Sequence, residues 1–305
     1  MKRTSLLRWA GAGLLAAGVA LSMASPATAG ADTSARTVAD LSAAQVKLDK
    51  AAATRPSSVT SWYVDAASRS LVVEVHGSDT AVANWASTLG AGAVKIKHVA
   101  EAYKPLWNVI DGQAITTTAG ARCSAGFNAR SASGARYVID AGHCGNLGGT
   151  WSGTGGTLGT VAASSFPTND YSAINVSSSS AVQTGLVDRY SAGSDVRVTG
   201  ARSASTGLAV CRSGSTTGWH CGSVTATNQT VCYSQGCVGQ MIRTNVCAEP
   251  GDSGGSLVTN PGSGTTVQAV GLTSGGSGNC SSGGTTFFQT ITEPLSVYGL
   301  TLVTG

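Results

Sequence analysis

All eight cysteines of this 305-residue chain lie between Cys123 and Cys280, in a region that contains no lysine. Residues 30–109 have the opposite composition, because they contain no cysteine and every lysine outside the first 29 residues. From Ile110 onward there are eight arginines and eight acidic residues, so this region is formally neutral and has no basic stripe for nucleic acid. The composition therefore divides the chain at about residue 109 into a cysteine-free segment and a cysteine-rich domain of about 195 residues.

The first 29 residues have the order of regions found in a secretory signal peptide. Basic residues precede an apolar stretch, Leu14 to Met23, and Ala27-Thr28-Ala29 follows as a small-residue cleavage site. The apolar stretch is shorter than the roughly 20 residues of a membrane-spanning helix, and no later stretch approaches that length. We therefore expect an extracellular, secreted protein without a membrane anchor.

The two regions after this leader differ in their predicted secondary structure. In the cysteine-free segment, apolar periodicity predicts helices over 38–53 and 81–89 and strands over 61–64, 71–75 and 93–99. In the cysteine-rich region, short apolar runs separated by glycine-rich turns are typical of an all-β sandwich or barrel. Thr292-Glu293-Pro294 is a helix-start signal, so one short helix is expected near the C-terminus.

Two short motifs indicate a nucleophilic serine. Asp140-Ala141-Gly142-His143-Cys144 places a histidine just after an apolar strand-like run, and Glu249 to Gly255 places Ser253 among glycines. A serine hydroxyl is a poor nucleophile without a positioned base, and histidine is the usual base. Glycines allow backbone N–H groups to approach a reacting oxygen. These features predict a hydrolase with an activated serine.

The segment from Gly251 to Gly255 also matches the Gly-x-Ser-x-Gly pattern of the α/β-hydrolases. In that fold the catalytic residues follow the order serine, acid, histidine along the chain. No histidine follows Ser253, and the required alternation of strands and helices is missing. The order of residues therefore excludes an α/β-hydrolase.

From Ile110 to its end, the chain resembles the streptogrisin group of bacterial chymotrypsin-like serine proteases. The stretches that carry the resemblance are 122–128, 141–144, 166–171, 241–256 and 271–289. The resemblance implies an all-β mature domain, 110–305, with two six-stranded antiparallel Greek-key barrels, about 110–190 and 191–305, and a short C-terminal helix. Residues 30–109 resemble the pro-regions of that group, so a small α+β pro-domain is expected between the signal peptide, 1–29, and the mature domain.

The resemblance implies a role for each member of a catalytic triad. His143 matches the general base, Asp170 the carboxylate that orients it, and Ser253 the nucleophile. The backbone N–H groups of Gly251 and Ser253 match the oxyanion hole, which stabilises negative charge on the carbonyl being cleaved. Ser274 matches a serine that supports the aspartate. A binding protein on the same scaffold is the non-enzymatic alternative, but such proteins normally lack a triad member and none is missing here.

Asp252 and Arg212 match a pair that sets how the protease becomes active. In animal relatives a new N-terminal ammonium group pairs with the aspartate before the serine, whereas in bacterial relatives an arginine supplies the charge. We expect a buried bidentate pair between Arg212 and Asp252. Latency must then come from the pro-domain, which we expect to act as folding template and inhibitor and to be cut off within 106–110.

Specificity follows partly from the pocket that the resemblance implies. Its walls are Ala248, Glu249, Pro250, Thr273, Gly275, Gly276 and Thr286. Glu249 is the only acidic residue and is expected at the rim, so a large apolar residue is favoured before the cleaved bond, at P1. Glutamate-specific relatives have a histidine and serines at positions where this chain has Thr273 and Gly276. Glutamyl specificity is the enzymatic alternative.

Eight cysteines in an exported domain predict four disulfides, although counting alone permits 105 connectivities. The resemblance implies Cys123–Cys144, Cys211–Cys221 and Cys247–Cys280, which leaves Cys232 and Cys237 for a short local loop. A zinc site needs about four ligands and none of matching spacing remains, so neither a metal nor another cofactor is predicted. The expected partners are protein or peptide substrates and the chain's own pro-domain, and the expected state is a monomer.

Overall fold

The computed structural model describes residues 36–305. The predicted signal peptide, residues 1–29, lies outside the described residues. The chain forms two compact units that divide between Tyr103 and Lys104. Within the described residues no helix has both the length and the apolar character needed to cross a membrane.

The N-terminal unit is a three-stranded sheet with two helices. Its elements are α1 (Val38–Lys50), β1 (Val59–Asp65), β2 (Ser70–Val75), α2 (Val82–Thr88) and β3 (Lys95–His98). Thr37 and Asp40 form a reciprocal capping box that fixes the start of α1. β2 lies in the centre and pairs antiparallel with β1 and parallel with β3. Leu48, Val73 and Trp85 lie in the buried core of the unit, and the elements match those that periodicity predicts.

The larger C-terminal unit consists almost entirely of strands. In the first half these are β4 (Trp107–Asp111), β5 (Ala114–Thr117), β6 (Arg122–Ser124), β7 (Phe127–Ser131), β8 (Arg136–Asp140), β9 (Thr150–Gly153), β10 (Gly156–Ser165), β11 (Tyr171–Val176) and β12 (Ala181–Val187). In the second half they are β13 (Val196–Ala201), β14 (Ala209–Gly214), β15 (Gly218–Tyr233), β16 (Gly236–Thr244), β17 (Ser256–Thr259), β18 (Thr266–Asn279), β19 (Gly283–Thr290) and β20 (Leu300–Leu302). Two short helices, α3 (Gly142–Gly145) and α4 (Thr292–Tyr298), complete the unit.

The strands of this unit form two sheets. The first has the order β20-β7-β8-β11-β10-β9-β5-β6, and the second has the order β17-β14-β15-β16-β19-β18-β13-β12-β4. An additional pairing of β17 with β18 closes the strands from β14 to β19 into a six-membered ring. The predicted all-β class, the small α+β unit before it and the short C-terminal helix are confirmed.

Strands from the two ends of the unit enlarge the sheets to eight and nine strands. β4 begins the unit but pairs with β12 in the second sheet, whereas β20 ends the chain but pairs with β7 in the first sheet. β12 also pairs with β13, so sheet membership does not follow the expected division at about residue 190. The reason is that β12 contributes to two hydrophobic cores. Ala181 packs in a core within the first half of the unit, and Val187 packs in a core that both halves share.

The shared core sets the position of the site. It contains Phe127 and Ile139 from the first sheet together with Val258 and Leu272 from the second. Trp151 lies in a separate core within the first half. Because β8 ends beside the shared core, the turn that follows it and the loop before β17 meet where the two halves of the unit adjoin.

Candidate active site

His143 is held by the carboxylate of Asp170. His143 lies in α3, directly after β8, and Asp170 directly precedes β11, which pairs antiparallel with β8. His143 Nδ1 lies 2.9 Å from Asp170 Oδ2, and the backbone N–H of His143 donates to Asp170 Oδ1 at 2.8 Å. The Asp170 side chain is completely buried, whereas 27% of the His143 side chain is exposed. The pairing of two neighbouring strands thus fixes one edge of the imidazole and leaves part of the ring accessible.

Asp170 is also bound by residues of the second sheet. The Ser274 hydroxyl donates to Asp170 Oδ2, and the Tyr233 hydroxyl lies 3.0 Å from Ser274 Oγ. The backbone N–H of Asp170 donates to Gln289 Oε1 at 2.8 Å. Ser274 is predicted from the sequence, whereas Tyr233 and Gln289 are not, because no local pattern links them to the aspartate.

Ser253 lies in the turn before β17, between two glycines with left-handed backbone angles. The φ angle is +98° at Gly251 and +82° at Gly254, a region that glycine adopts without steric cost. Gly254 N–H donates to Thr273 O at 2.7 Å, whereas the N–H groups of Gly251 and Ser253 have no acceptor among the described residues. Two free N–H donors beside a serine hydroxyl form an arrangement that can stabilise a developing oxyanion.

Two cavities adjoin Ser253. The first, which we name the His143 cavity, has a volume of about 500 Å³ and is lined by Arg122, Cys123, His143, Asn146, Leu147, Phe166, Pro167, Gln235 and Ser253. Within the described part of the chain, no hydrogen bond joins the Ser253 hydroxyl to the imidazole. Such bonds are often loose in a free enzyme and tighten when substrate binds.

The second cavity, which we name the Gly275 cavity, has a volume of about 430 Å³. It is lined by Ala248, Glu249, Pro250, Ser253, Thr273, Ser274, Gly275, Gly276 and Gly278. The lining includes every residue of the expected substrate pocket except Thr286. Thr286 is buried opposite Gly276 in the β18–β19 pairing, and its hydroxyl donates to Val246 O at 2.7 Å. Thr286 therefore lies behind the wall rather than in the pocket.

Arg212 and Asp252 form a fully buried ion pair with an Nη1–Oδ1 distance of 3.3 Å. The expected bidentate geometry is wrong, because only one direct contact joins the two groups. Instead, Arg212 Nη2 donates to the Thr217 hydroxyl, which donates to Asp252 Oδ2 at 2.7 Å. Burial lowers the pKa of Arg212, and the charge of Asp252 opposes this shift. Thr217 occupies the place of the second direct contact, and the aspartate has a cationic partner without an N-terminal ammonium group.

Asp140, for which the sequence predicts no role, is a third completely buried carboxyl group at this site, besides Asp170 and Asp252. Its Oδ1 accepts the Ala141 N–H at 2.7 Å, and its Oδ2 has no partner among the described residues. Burial raises the pKa of Asp140 well above its usual value, and the nearby charge of Asp170 raises it further.

Four disulfides close the frame around the site. They are Cys123–Cys144, Cys211–Cys221, Cys232–Cys237 and Cys247–Cys280. Three of these pairs are the ones that the family resemblance implies, and the fourth, Cys232–Cys237, joins the two cysteines that remain. Cys144 follows His143 and Cys247 precedes the wall of the Gly275 cavity, so two of the bridges lie beside the cavities.

Comparisons with known proteins agree with this geometry. The family model described as alpha-lytic protease prodomain matches residues 36–93, and the one described as trypsin matches residues 110–297. Streptogrisin-A of Streptomyces griseus is 46% identical over 249 residues, which are 80% of this chain and 78% of that protein. Streptogrisin-C of the same organism is 42% identical over 262 residues, or 85% of this chain, and the match spans only 55% of that protein.

Solved structures give the same result. A protease from Nocardiopsis matches with a TM-score of 0.59 and 48% identity over 64% of this chain and 99% of its own. A glutamic acid specific serine protease, described as using a histidine triad in substrate binding, matches with a TM-score of 0.58 and 42% identity over 64% of this chain and all of its own. The chain therefore belongs to the trypsin family of serine endopeptidases, with a chymotrypsin-like fold preceded by a prodomain of the alpha-lytic protease type.

Proposed function

We propose that the protein is secreted as a zymogen and that its mature domain, about 110–305, hydrolyses peptide bonds through an acyl-enzyme on Ser253. The observation that carries the proposal is the position of His143. Its imidazole is bound to the buried carboxylate of Asp170 and lines one cavity with Ser253. This arrangement supplies a nucleophile, a base and an orienting group in one place.

Each step of the reaction has a group in place. His143 Nε2 removes the proton of the Ser253 hydroxyl as Oγ attacks the carbonyl carbon, and the oxygen becomes an oxyanion between the N–H groups of Gly251 and Ser253. His143 then gives the proton to the leaving amine, and the C–N bond breaks. A water molecule gives a proton to the same imidazole and attacks the ester carbon. The bond from that carbon to Ser253 Oγ then breaks, Oγ takes the proton back from His143, and the new carboxyl terminus is released. Asp170 keeps the proton on Nδ1 throughout and stabilises the imidazolium.

The Gly275 cavity supports a preference for large apolar residues at P1. Gly275 and Gly276 form its wall without side chains, so the space beside Ser253 stays open. Glu249 is the only acidic residue of the lining, and its Oε1 accepts the Cys280 N–H at 3.0 Å. A charged side chain that enters this cavity without a partner of opposite charge loses several kcal/mol of hydration, so P1 Arg and P1 Glu are disfavoured.

The glutamyl alternative receives no support from the histidines. The glutamate-specific relative is described as binding substrate with a histidine triad. Downstream of residue 109 this chain has only His143 and His220. His220 lies on β15, where its Nε2 contacts Thr217 O at 2.9 Å, and it is not part of the Gly275 cavity lining.

Two measurements test the proposal. A fluorophosphonate probe should label the mature enzyme and should not label Ser253→Ala. Matched tetrapeptide substrates should then give a higher kcat/KM with P1 Phe or Leu than with P1 Glu or Arg. Labelling that persists in Ser253→Ala would refute Ser253 as the nucleophile. Faster cleavage after Glu than after Phe or Leu would establish the glutamyl specificity.

The pro-domain is proposed to assist folding and then to inhibit the enzyme until it is removed. Within the expected cleavage region, 106–110, Leu106 is the favoured P1 residue. It is a large apolar side chain that is 71% exposed, and it directly precedes β4. A cut after Leu106 leaves the pairing of β4 with β12 intact. Sequencing the N-terminus of the mature enzyme tests this assignment, and any start other than Trp107 would contradict it.

A further inference from the structure

Arg122 is a fixed cation beside the candidate oxyanion hole. Its Nη1 donates to Ser215 O and Oγ, each at 3.2 Å, and its Nη2 donates to the Thr216 hydroxyl at 2.8 Å. The Thr216 hydroxyl donates in turn to Pro250 O at 2.8 Å. The guanidinium group is thus tied to the loop that carries Ser253, although the residue itself is exposed.

The distance to Gly251 shows how close this cation lies to the reaction. A Cβ atom added to Gly251 would stand 2.7 Å from Arg122 Nη2 and 3.0 Å from its Cζ. Arg122 also lines the His143 cavity together with Ser253 and His143. A substrate residue in this cavity would therefore lie next to the guanidinium group.

The charge of Arg122 is not neutralised within the described part of the chain. No Asp or Glu oxygen of residues 36–305 lies within 4.0 Å of its side-chain nitrogens, and its hydrogen-bond acceptors are two hydroxyls and one carbonyl. Arg212 provides the contrast, because it is buried and paired with Asp252. Arg122 therefore presents a net positive charge to a ligand in the cavity.

The chemistry of the reaction tells which part of the substrate meets this charge. His143 gives its proton to the leaving amine, so the residues after the cleaved bond lie on the side of His143 and the Cys123–Cys144 bridge. The residue before the bond enters the Gly275 cavity, which Arg122 does not line. Arg122 is consequently on the leaving-group side.

We infer that Arg122 determines specificity by binding a carboxylate of the leaving group, so that Asp or Glu is preferred within the three residues after the cleaved bond (P1′ to P3′). This inference rests on the proposed function of Ser253 and His143. A planar guanidinium group is suited to bind a carboxylate, and an ion pair at an exposed site gives a modest preference.

The test uses fluorogenic peptides that are identical up to P1 and carry Asp, Asn or Lys singly at P1′, P2′ or P3′. The measured quantity is the ratio of kcat/KM for Asp to that for Asn within each enzyme variant, so a general loss of activity cancels. We expect a ratio of about two to five at one position in the wild type, the size of an exposed ion pair. Arg122→Gln should reduce the ratio to about one, Arg122→Lys should retain a preference, and Arg122→Glu should favour Lys instead. Added salt should lower the wild-type ratio.

Arg243→Gln is the matched control, because Arg243 is an exposed arginine on β16 that does not line the His143 cavity. This variant should keep the wild-type ratio. A ratio of one at all three positions in the wild type, or a preference that survives Arg122→Gln, overturns the inference. Fluorophosphonate labelling of the same preparations reports on Ser253 separately. Labelled enzyme with a flat ratio refutes the role of Arg122 alone, whereas wild-type enzyme that is not labelled refutes the proposed function and this inference with it.

Discussion

The carboxyl group of Asp140 lies directly against Gly254, the residue after the candidate nucleophile. A Cβ atom added to Gly254 would stand 1.9 Å from Asp140 Oδ1 and 2.7 Å from Asp140 Cγ. Asp140 ends the strand that leads to His143, and Gly254 follows Ser253 in its loop. The segments that carry the proposed base and nucleophile are therefore in contact through a buried acid.

Replacing Asp140 with asparagine should make stability less dependent on pH. Burial raises the pKa of Asp140 above its unfolded value of 3.8, so the native state holds the proton at pH values where the unfolded chain has lost it. Stability due to this group is complete below the unfolded pKa and is lost as the pH rises toward the folded pKa. Asparagine is neutral at every pH, so the difference in Tm between Asp140→Asn and the wild type should increase with pH above about 4.

Calorimetry of fluorophosphonate-inhibited enzyme measures this difference without self-digestion. Asp111→Asn should give a difference of the same sign, because burial also raises the pKa of Asp111, which accepts two hydrogen bonds from Asn128. A Tm difference that stays constant or decreases with pH would show that Asp140 is ionised in the native state.

Removal of the triad groups should abolish turnover with little change in fold. Ser253→Ala and His143→Ala should leave the precursor uncut when each is expressed alone. Asp170→Asn should lower kcat by about 10⁴-fold, as the equivalent change does in serine proteases of this architecture, because the imidazole is then held in the wrong tautomer. The readouts are precursor size and hydrolysis of a P1 Phe substrate. Self-processing by the Ser253→Ala precursor would contradict the assignment.

Ser274 and Tyr233 should contribute to activity in unequal amounts. Ser274→Ala removes a hydrogen bond to the buried Asp170 carboxylate. Bonds of this kind contribute about 1.5–3 kcal/mol to stability, so we expect a loss of kcat of at most roughly 150-fold. Tyr233→Phe removes only the hydroxyl that contacts Ser274 and should cost less. Steady-state kinetics on one substrate compares them. A larger loss for Tyr233→Phe than for Ser274→Ala would mean that the tyrosine acts by another route.

Arg212→Met should cripple the site even in correctly processed enzyme. It leaves the buried Asp252 without a cation, a change that typically costs about 3–5 kcal/mol. Thr217→Val is the milder comparison, since it removes the bridging hydroxyl but keeps the ion pair. Active-site titration counts the competent fraction in each preparation. Full activity in Arg212→Met would show that Asp252 does not need the charge.

The pro-domain should be required for folding and should inhibit the product. Strands distant in sequence pair throughout the mature domain, and folds dominated by non-local contacts fold slowly. Refolding of 110–305 should therefore be efficient only when 30–109 is added, and that fragment should inhibit mature enzyme in a titration. Efficient unaided refolding would refute the template role, and full activity in excess fragment would refute the inhibitory role.

Local sequence patterns predict the helices and strands of this fold better than they predict which strands pair and which distant side chains meet. Periodicity places α1 and a helix-start signal places α4, because those signals lie within each segment. The strand pairings of β4 and β20 join opposite ends of the unit, so no local pattern indicates them. The same holds for Gln289 and Tyr233 at Asp170. Thr286 is a similar case. The register of a strand decides which of its faces lines a pocket, and a local pattern does not give the register.

The exchange of terminal strands bears on how the enzyme resists digestion by other copies of itself. β4 joins the beginning of the unit to the second sheet, and β20 joins its end to the first sheet, so each end of the unit is paired with the opposite half. The two halves cannot separate unless these pairings break. Digestion by neighbouring copies starts from opened segments, so we expect the two pairings to slow it by suppressing openings that part the halves.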